Sequence, residues 1–458
     1  MRHLIHRHIL LPAFDTLYHQ RKTFPFLKEL DRTQWLSRKE VELRQLLSLQ
    51  RILMHAFNSC PYYRELWQQS GLDPRSVQSQ TDFRRWPTID RTAILENRMR
   101  MRASPPMKLI AKSTGGSSGQ PLRFDLDLGS NDHRVAASYR GYDWAGAGPG
   151  AKLLYLWGVP LGKQSRLKRW KDGFYHGLHR HKILNSFDLT EERAGDFLDQ
   201  HNRYRPDVLV AYTNPLYEFA RILQQRGLRP FSPKAIVVGA EKLHSFQREL
   251  IEKVFETSVF ETYGSREFML IAAECDRHEG LHLSHENLLV EVLDDDGTPT
   301  PDGQEGNVVI TDLFNYGMPF IRYVCGDRVM AGWTMCSCGR GLPLMKPVLG
   351  RRLDTLFTPD GRRVPGEIFP HMLKDFAAIK RFQVVQDKPD HVELRVIVSP
   401  EWSEADRTAV QRLSQDALGS SVHFDIVRVD DIPLTGAGKL RVVINLCQDA
   451  SEPATLPG

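Results

Sequence analysis

Three short apolar runs constrain most strongly how this chain can fold. Leu153-Leu154-Tyr155-Leu156-Trp157, Val208-Leu209-Val210-Ala211 and Ala235-Ile236-Val237-Val238 are each flanked by Gly or Pro. None alternates polar with apolar residues, so none offers a face to water. Such runs read as strands covered on both sides, separated by turns and helices, in an α/β sheet. The rest of the chain changes period around them. Residues 25–100 read as helices, with Leu43, Leu46, Leu47, Ile52, Leu53 and Ala56 at helical spacing. Residues 288–311 alternate as strands around Asp294-Asp295-Asp296-Gly297, a hairpin turn, and predict a smaller β subdomain. Beyond Gly350, residues 381–385, 392–398 and 422–429 alternate as strands. Residues 402–418 set Val410, Leu413 and Ala417 on one helical face.

At 458 residues the chain is long for one core. The predicted organisation is a helical N-terminal part of a large domain over 1–104 and an α/β core with the β subdomain over 105–350. A small α+β C-terminal domain follows over 351–447, then a polar, Pro-bearing tail over 448–458 that reads as disordered. An apolar fraction of 41% and a charged fraction of 26% are those of an ordinary globular protein. A net charge of +5 is too small and dispersed to predict nucleic-acid binding. The densest basic run, 163–182, reads as a solvated surface segment. No stretch has the ~18 consecutive apolar residues of a membrane span. Residues 1–14 mix Leu4, Ile5, Ile9, Leu10 and Leu11 with Arg2, His3, His6, Arg7 and His8, which fits a packed helix better than a signal peptide or a membrane foot. Six cysteines without a secretory signal predict a reducing, cytoplasmic setting and no disulfide framework.

Two clusters carry chemistry. Lys112-Ser113-Thr114-Gly115-Gly116-Ser117-Ser118-Gly119-Gln120-Pro121 packs hydroxyls and glycines into one loop. Glycines let backbone N–H groups approach an anion closely and hydroxyls add short donors, so the loop suits a polyphosphate. It lacks the Lys after the last Gly that a P-loop needs. Further on, Cys336-Ser337-Cys338 is a tight thiolate pair, and Cys275 precedes His278, His282 and His285. Cys275, His282, Cys336 and Cys338 could supply four ligands to a structural Zn²⁺, with His278 as the substitute for His282. Cys60, Cys325 and Cys447 read as packing residues.

Further motifs follow in order: Phe57-Asn58-Ser59-Cys60-Pro61-Tyr62-Tyr63-Arg64, Trp86-Pro87-Thr88-Ile89-Asp90-Arg91, Gly239-Ala240-Glu241 and Tyr263-Gly264-Ser265-Arg266-Glu267. After these come Tyr323-Val324-Cys325-Gly326-Asp327, Gly350-Arg351-Arg352-Leu353-Asp354 and Pro433-Leu434-Thr435-Gly436-Ala437-Gly438-Lys439. Together with the glycine-hydroxyl loop, this series resembles the adenylate-forming ligases, most closely the phenylacetate–coenzyme A ligase-like branch with its capsule-biosynthesis relatives.

The resemblance implies ATP-dependent activation of a small-molecule carboxylic acid and transfer of the acyl group to a thiol, coenzyme A foremost. The alternatives are a non-CoA acceptor in polysaccharide or metabolite synthesis, and a nucleotide-binding scaffold without catalysis. It implies that Ser113, Thr114, Gly115, Gly116, Ser117, Ser118 and Gly119 cradle the phosphates and that Glu267 binds Mg²⁺. Tyr263, Gly264 and the Gly239-Ala240-Glu241 turn would hold adenine. Asp327 would grip the ribose hydroxyls, with Arg351 beside it, and Lys439 would be the catalytic cation. Asp354 matches a hinge position, and relatives of this branch are often homodimers. Arg266 departs from the pattern, which often has Thr there. The acid pocket is expected near Tyr155, Trp157, Tyr212 and Asn214.

Overall fold

The structure, a computed structural model, describes residues 2–114, 122–158, 166–190, 192–240, 243–346, 348, 356–364, 366, 368–373, 375–376, 378–432 and 442–447. The chain divides into two compact units, the larger covering 1–113, 122–157 and 164–351 and the smaller 352–458 with the short stretches 114–121 and 158–163. The fold is of the expected class, α/β with a small α+β C-terminal domain.

The large unit opens with helices. The longest, Arg38–Ser59, starts at a capping box in which Ser37 and Glu40 satisfy each other's backbone N–H groups. It buries Val41, Gln45, Leu49, Ile52, Leu53 and Ala56. Leu43 and Leu47 stand exposed, against expectation. The reason is Gln45, a polar residue on the buried stripe. Its amide donates to the carbonyls of His285 and Leu288 at 2.8 and 2.9 Å, so it occupies a core position without an unpaired polar group. The segment 2–18 is helical and packs inward through Leu11 and Asp15, while Leu4, Ile5, Ile9, Leu10, Leu17 and Tyr18 remain exposed.

The strands begin with a hairpin of β1 (Leu109–Ser113) and β2 (Arg123–Asp127), in which Ser113 pairs with Arg123. The main sheet contains β3 (Leu153–Trp157), β4 (His181–Asn185), β5 (Val208–Tyr212), β6 (Ala235–Gly239) and β7 (Val259–Ser265). It continues through β8 (Met269–Glu274) and β9 (Leu281–Leu283). A three-stranded sheet of β10 (Leu288–Leu293), β11 (Glu305–Asp312) and β12 (Tyr323–Met330) follows, and β13 (Leu344–Met345) returns to the main sheet. The main sheet's order is β13-β9-β8-β7-β6-β5-β3-β4. Strands β3 to β7 run parallel, with Leu154 beside Leu209 and Leu209 beside Ile236. All residues of β5 and β6 are buried, as their unbroken apolar sequence requires. Helices Arg166–His179, Ala194–Tyr204, Thr213–Gln225 and Ser245–Phe255 form the crossovers. Strands β8, β9 and β13 are antiparallel additions that carry the sheet beyond β7. The turn at 294–297 begins the β10–β11 connection, which runs to Gln304, and bridges Leu293 to Pro299. There Asp294 accepts from the Asp296 and Thr298 N–H groups, and Gly297 takes φ +79.

The small unit contains the short pair β14 (Leu356–Phe357) and β15 (Arg363–Val364). It also has a four-stranded sheet of β16 (Ile379–Lys388), β17 (His391–Val398), β18 (His423–Arg428) and β19 (Val443–Asn445), ordered β18-β17-β16-β19. Helix Glu404–Leu418, capped by Ser403, buries Val410, Ser414, Ala417 and Leu418, while Leu413 is half-buried. The expected tail, 448–458, lies outside the described residues. No described helix is long and apolar enough to cross a membrane.

Candidate active site and metal centre

The C-terminal ends of β6 and β7 and the middle of β12 build one wall. Strand β6 ends at Gly239, where a Cβ would stand only 2.5 Å from the Thr262 hydroxyl oxygen of β7. That hydroxyl donates to the Val238 carbonyl at 2.8 Å, closing the two strand ends together. Ala240 then takes φ +71, turning the chain sharply out of the sheet.

Next to Thr262, Tyr263 reaches across to β12. Its phenol donates to Asp327 Oδ2 at 2.7 Å, and its oxygen lies 3.9 Å from the Cys325 sulfur. Burial, and then Cys325 and Asp327 beside it, push the Tyr263 phenol well above its ordinary range, so it stays a protonated donor. Gly326 has φ +84 between the two β12 residues that Tyr263 meets. Tyr263 and Asp327, sixty-four positions apart, are therefore joined by a direct hydrogen bond.

Gly264 stands at the bulge where β7 and β8 shift register. Glu267 lies in the tight connection after β7 and is buried. Its backbone carbonyl accepts from the Arg134 guanidinium, which also pairs with Asp312. Both charges of that pair are buried, and Asp312 Oδ1 additionally accepts from the Phe314 and Asn315 N–H groups at 2.9 and 3.2 Å. Arg134 and Asp312 thus fix the Glu267 turn, and neither was among the expected site residues. Nothing in a lone Arg on one helix and a lone Asp 178 positions later marks them as partners.

Ser113 closes β1 and Thr114 is buried. Gly115, Gly116, Ser117, Ser118, Gly119, Glu241, Arg351, Asp354 and Lys439 lie outside the described residues. Of the expected acid-pocket residues, Trp157 and Tyr212 touch, ring centroids 4.0 Å apart. Asn214 instead accepts from Gln247 at 2.8 Å.

The second cluster sits at the opposite end of β8. Cys275 follows that strand, His282 lies in β9, and Cys336 and Cys338 occupy a turn before β13. Their ligand atoms all lie within 4.8 Å of one another. The Cys275 and Cys336 sulfurs are 3.7 Å apart, and the Cys338 sulfur is 3.4 Å from His282 Nε2. Zinc–sulfur bonds of about 2.3 Å in a tetrahedron set sulfurs about 3.8 Å apart, so the donor set fits Zn²⁺. His282 Nδ1 meets the Leu342 carbonyl at 3.1 Å, which assigns the proton to Nδ1 and leaves Nε2 as the ligand atom. Burial, foremost, lowers the His282 pKa to about 4, and the same cause raises the Cys275 and Cys336 thiols. His278 is engaged elsewhere, 3.1 Å from Glu274. Glu279 holds the Cys turn through the Ser337 N–H at 2.9 Å. Arg340 stacks on Trp35 and Trp144, tying the turn to the helical start of the chain. All six cysteines are free thiols.

With both sites in place, likeness to known proteins is informative. Residues 356–446 match the family described as the CapK C-terminal domain. The chain is 25% identical over 448 residues to a phenylacetate-coenzyme A ligase of Thermus thermophilus, spanning 90% of this chain and 98% of that one. It is 22% identical to protein CapK of Staphylococcus aureus, spanning 93% of each. Among solved structures it superposes on 2-hydroxyisobutyryl-CoA ligase in its postadenylation state, with a TM-score of 0.56, 21% identity and 91% of each chain covered; that likeness concerns the fold. The fold and these relatives define a member of the adenylate-forming superfamily. Within it, the chain is similar over most of its length to the phenylacetate–coenzyme A ligases and CapK, and its C-terminal residues match the CapK family.

Proposed function

We propose that the chain is an ATP-dependent acid–thiol ligase. In the first step the carboxylate oxygen of a small acid attacks the α-phosphorus of ATP. The bond to the bridging oxygen of the β-phosphate breaks, pyrophosphate leaves, and an acyl-adenylate remains. In the second, the thiolate of coenzyme A attacks the acyl carbonyl and AMP leaves.

The observation that carries this reading is the Tyr263–Asp327 pair against the side-chain-free end of β6. A nucleoside needs a flat floor with an aromatic wall and a carboxylate for its two ribose hydroxyls, and a carboxylate's two oxygens together offer about four acceptor sites. Tyr263, Gly264, Gly239, Ala240 and Glu241 are our adenine contacts, with Asp327 and Arg351 for the ribose and Ser113 to Gly119 for the phosphates. Glu267 is our ligand for Mg²⁺, which supplies positive charge against the phosphates when bound. The Lys439 ammonium offsets the charge brought together as carboxylate meets α-phosphate. We assign Cys275, His282, Cys336 and Cys338 to a structural Zn²⁺, because four protein ligands leave no position open for substrate.

The test is acid-dependent exchange of labelled pyrophosphate into ATP over aryl, fatty, hydroxy and amino acids. Exchange with one class, reduced by about 10²–10³-fold in Lys439→Ala, is the expected result. Tight ATP binding without exchange for any acid would overturn it in favour of a nucleotide-binding scaffold. Adding coenzyme A then distinguishes a thiol acceptor from a non-CoA acceptor in polysaccharide or metabolite synthesis.

A further inference from the structure

Two helices of the large unit leave a continuous apolar face uncovered. Nine of the twenty-one large apolar side chains that stand exposed among the described residues belong to segments 2–18 and 166–179. On the first, the apolar pairs Leu4 and Ile5, Ile9 and Leu10, and Leu17 and Tyr18 recur at intervals of five and then eight residues. Much of this segment is bonded i→i+5, as in the His19 N–H to Phe14 carbonyl bond, and that pitch brings the pairs onto one side. On the second, Trp170 and Phe174 lie one turn apart with their rings stacked at 6.3 Å, and Tyr175 follows. Phe14 stacks on Tyr18 at 5.3 Å and meets Phe174 at 6.3 Å, so the two helices form one surface. Leu17 is 79% exposed, Tyr18 74% and Trp170 69%.

This face is held in place and is not a frayed end. Arg7 grips Asp143 through two hydrogen bonds of 2.8 and 2.6 Å, and His6 Nδ1 meets the Leu178 carbonyl at 2.9 Å. With Leu11 turned inward, the remaining apolar residues have no alternative but to face out. Charge distinguishes among the partners such a face could take. Residues 1–22 carry Arg2, Arg7, Arg21 and Lys22 against one acid, Asp15, which is buried. Among the described side chains of 170–182, Lys171 is exposed beside the apolar residues, and Arg180 and Lys182 add positive charge against one acid, Asp172. A second copy docking isologously would set this basic surface against itself. Trp, Phe and Leu bordered by Lys and Arg instead match a bilayer interface with anionic headgroups.

We propose that this face docks the protein peripherally on an anionic phospholipid surface. The apolar side chains enter the headgroup boundary, and Lys171, Lys22 and their neighbours stay at phosphate level, their stems along the apolar layer. The site is separate from the nucleotide wall and the reading does not depend on the reaction proposed above.

The test uses the full chain in sedimentation with vesicles of phosphatidylcholine alone and of phosphatidylcholine mixed with phosphatidylglycerol. Binding to the anionic vesicles, none to the neutral ones, and release by high salt are expected. The double substitution Trp170→Glu, Phe174→Glu should weaken binding about tenfold or more, and Lys171→Glu about fivefold or more. Melting temperature and ATP binding should be unchanged, since these side chains are on the surface. No sedimentation with anionic vesicles at low salt would overturn the proposal. So would undiminished binding by the double variant, or a dimer in solution that this variant splits without any lipid binding.

Discussion

Strand β8 has a candidate site at each end, and the two differ in how complete they are. At one end Cys275, His282, Cys336 and Cys338 converge until every ligand atom is within 4.8 Å of the rest, and the spare nitrogen of His282 is engaged by a carbonyl. Four protein donors so placed would fill a tetrahedral coordination sphere on their own. At the other end, Tyr263 and Asp327 are joined, Glu267 is fixed through its backbone, and the glycine at the end of β6 lets that strand end close onto Thr262 without a side chain between them. That end is a wall prepared for a ligand that brings its own donors and charges. A closed set of ligands stabilises; in the reading proposed above, the wall binds nucleotide. The first should therefore fail as a loss of folding, the second as a loss of affinity or rate.

The largest effect should come from removing the proposed zinc. At free zinc about a thousand times the dissociation constant, binding adds about 4 kcal/mol of stability. Chelation, or Cys336→Ser, should remove it, seen as a drop in melting temperature with one equivalent of zinc released. Pyrophosphate exchange per folded molecule should change little. Unchanged stability with no zinc in the purified protein would leave the cluster as buried thiols only.

Arg134→Met is the next test, because it sits between the two categories. It leaves the Asp312 carboxylate buried without its partner and removes the donor to the Glu267 carbonyl, at a cost of about 3 kcal/mol in chemical denaturation. It should also weaken Mg²⁺–ATP binding, since Glu267 loses its anchor. Loss of stability with unaltered nucleotide affinity would make the pair a packing device only.

The contrast also shows what sequence patterning can and cannot reveal. Strands β5 and β6 were legible because an unbroken apolar run can only be buried, and Tyr263 and Asp327 because each stands in a short recognisable motif. The candidate metal cluster was legible in its members, His282 included with His278 as substitute, and geometry supports that choice: His282 lies in β9 beside the Cys turn, and His278 turns toward Glu274. Leu43 and Leu47 were misplaced because Gln45, a polar residue, took the core position through two hydrogen bonds. Arg134 and Asp312 were invisible because a charge reads as surface until its buried partner is known. Segment 2–18 was expected to pack, and half of it does; its outward half shows only once the helix pitch is seen.

Within the nucleotide wall, Asp327→Asn keeps shape but removes the charge that would receive the ribose hydroxyls. Hydrogen bonds to a charged group are worth about 1.5–3 kcal/mol, so KM for ATP should rise about tenfold or more with a smaller change in kcat. An equal fall in kcat with KM unmoved would shift Asp327 from binding to the reaction itself.

Tyr263→Phe should be the mildest change and the most specific. It deletes one neutral hydrogen bond, worth about 1 kcal/mol, and keeps the aromatic face against which a base would lie. KM for ATP should rise about fivefold through the freed Asp327 side chain, with folding retained. The pH behaviour sharpens the point. Because burial raises the Tyr263 phenol in the folded state, the unfolded chain loses this proton first as pH climbs past about 10. The phenol therefore contributes a fall in stability above that pH, and Tyr263→Phe should flatten it. Below it the phenol remains a donor to Asp327, so the wild type should show no alkaline break in ATP affinity from this group. A break appearing in wild type and vanishing in Tyr263→Phe would mean that the phenol ionises within reach of the ligand, and that water reaches the part-buried Tyr263–Asp327 hydrogen bond.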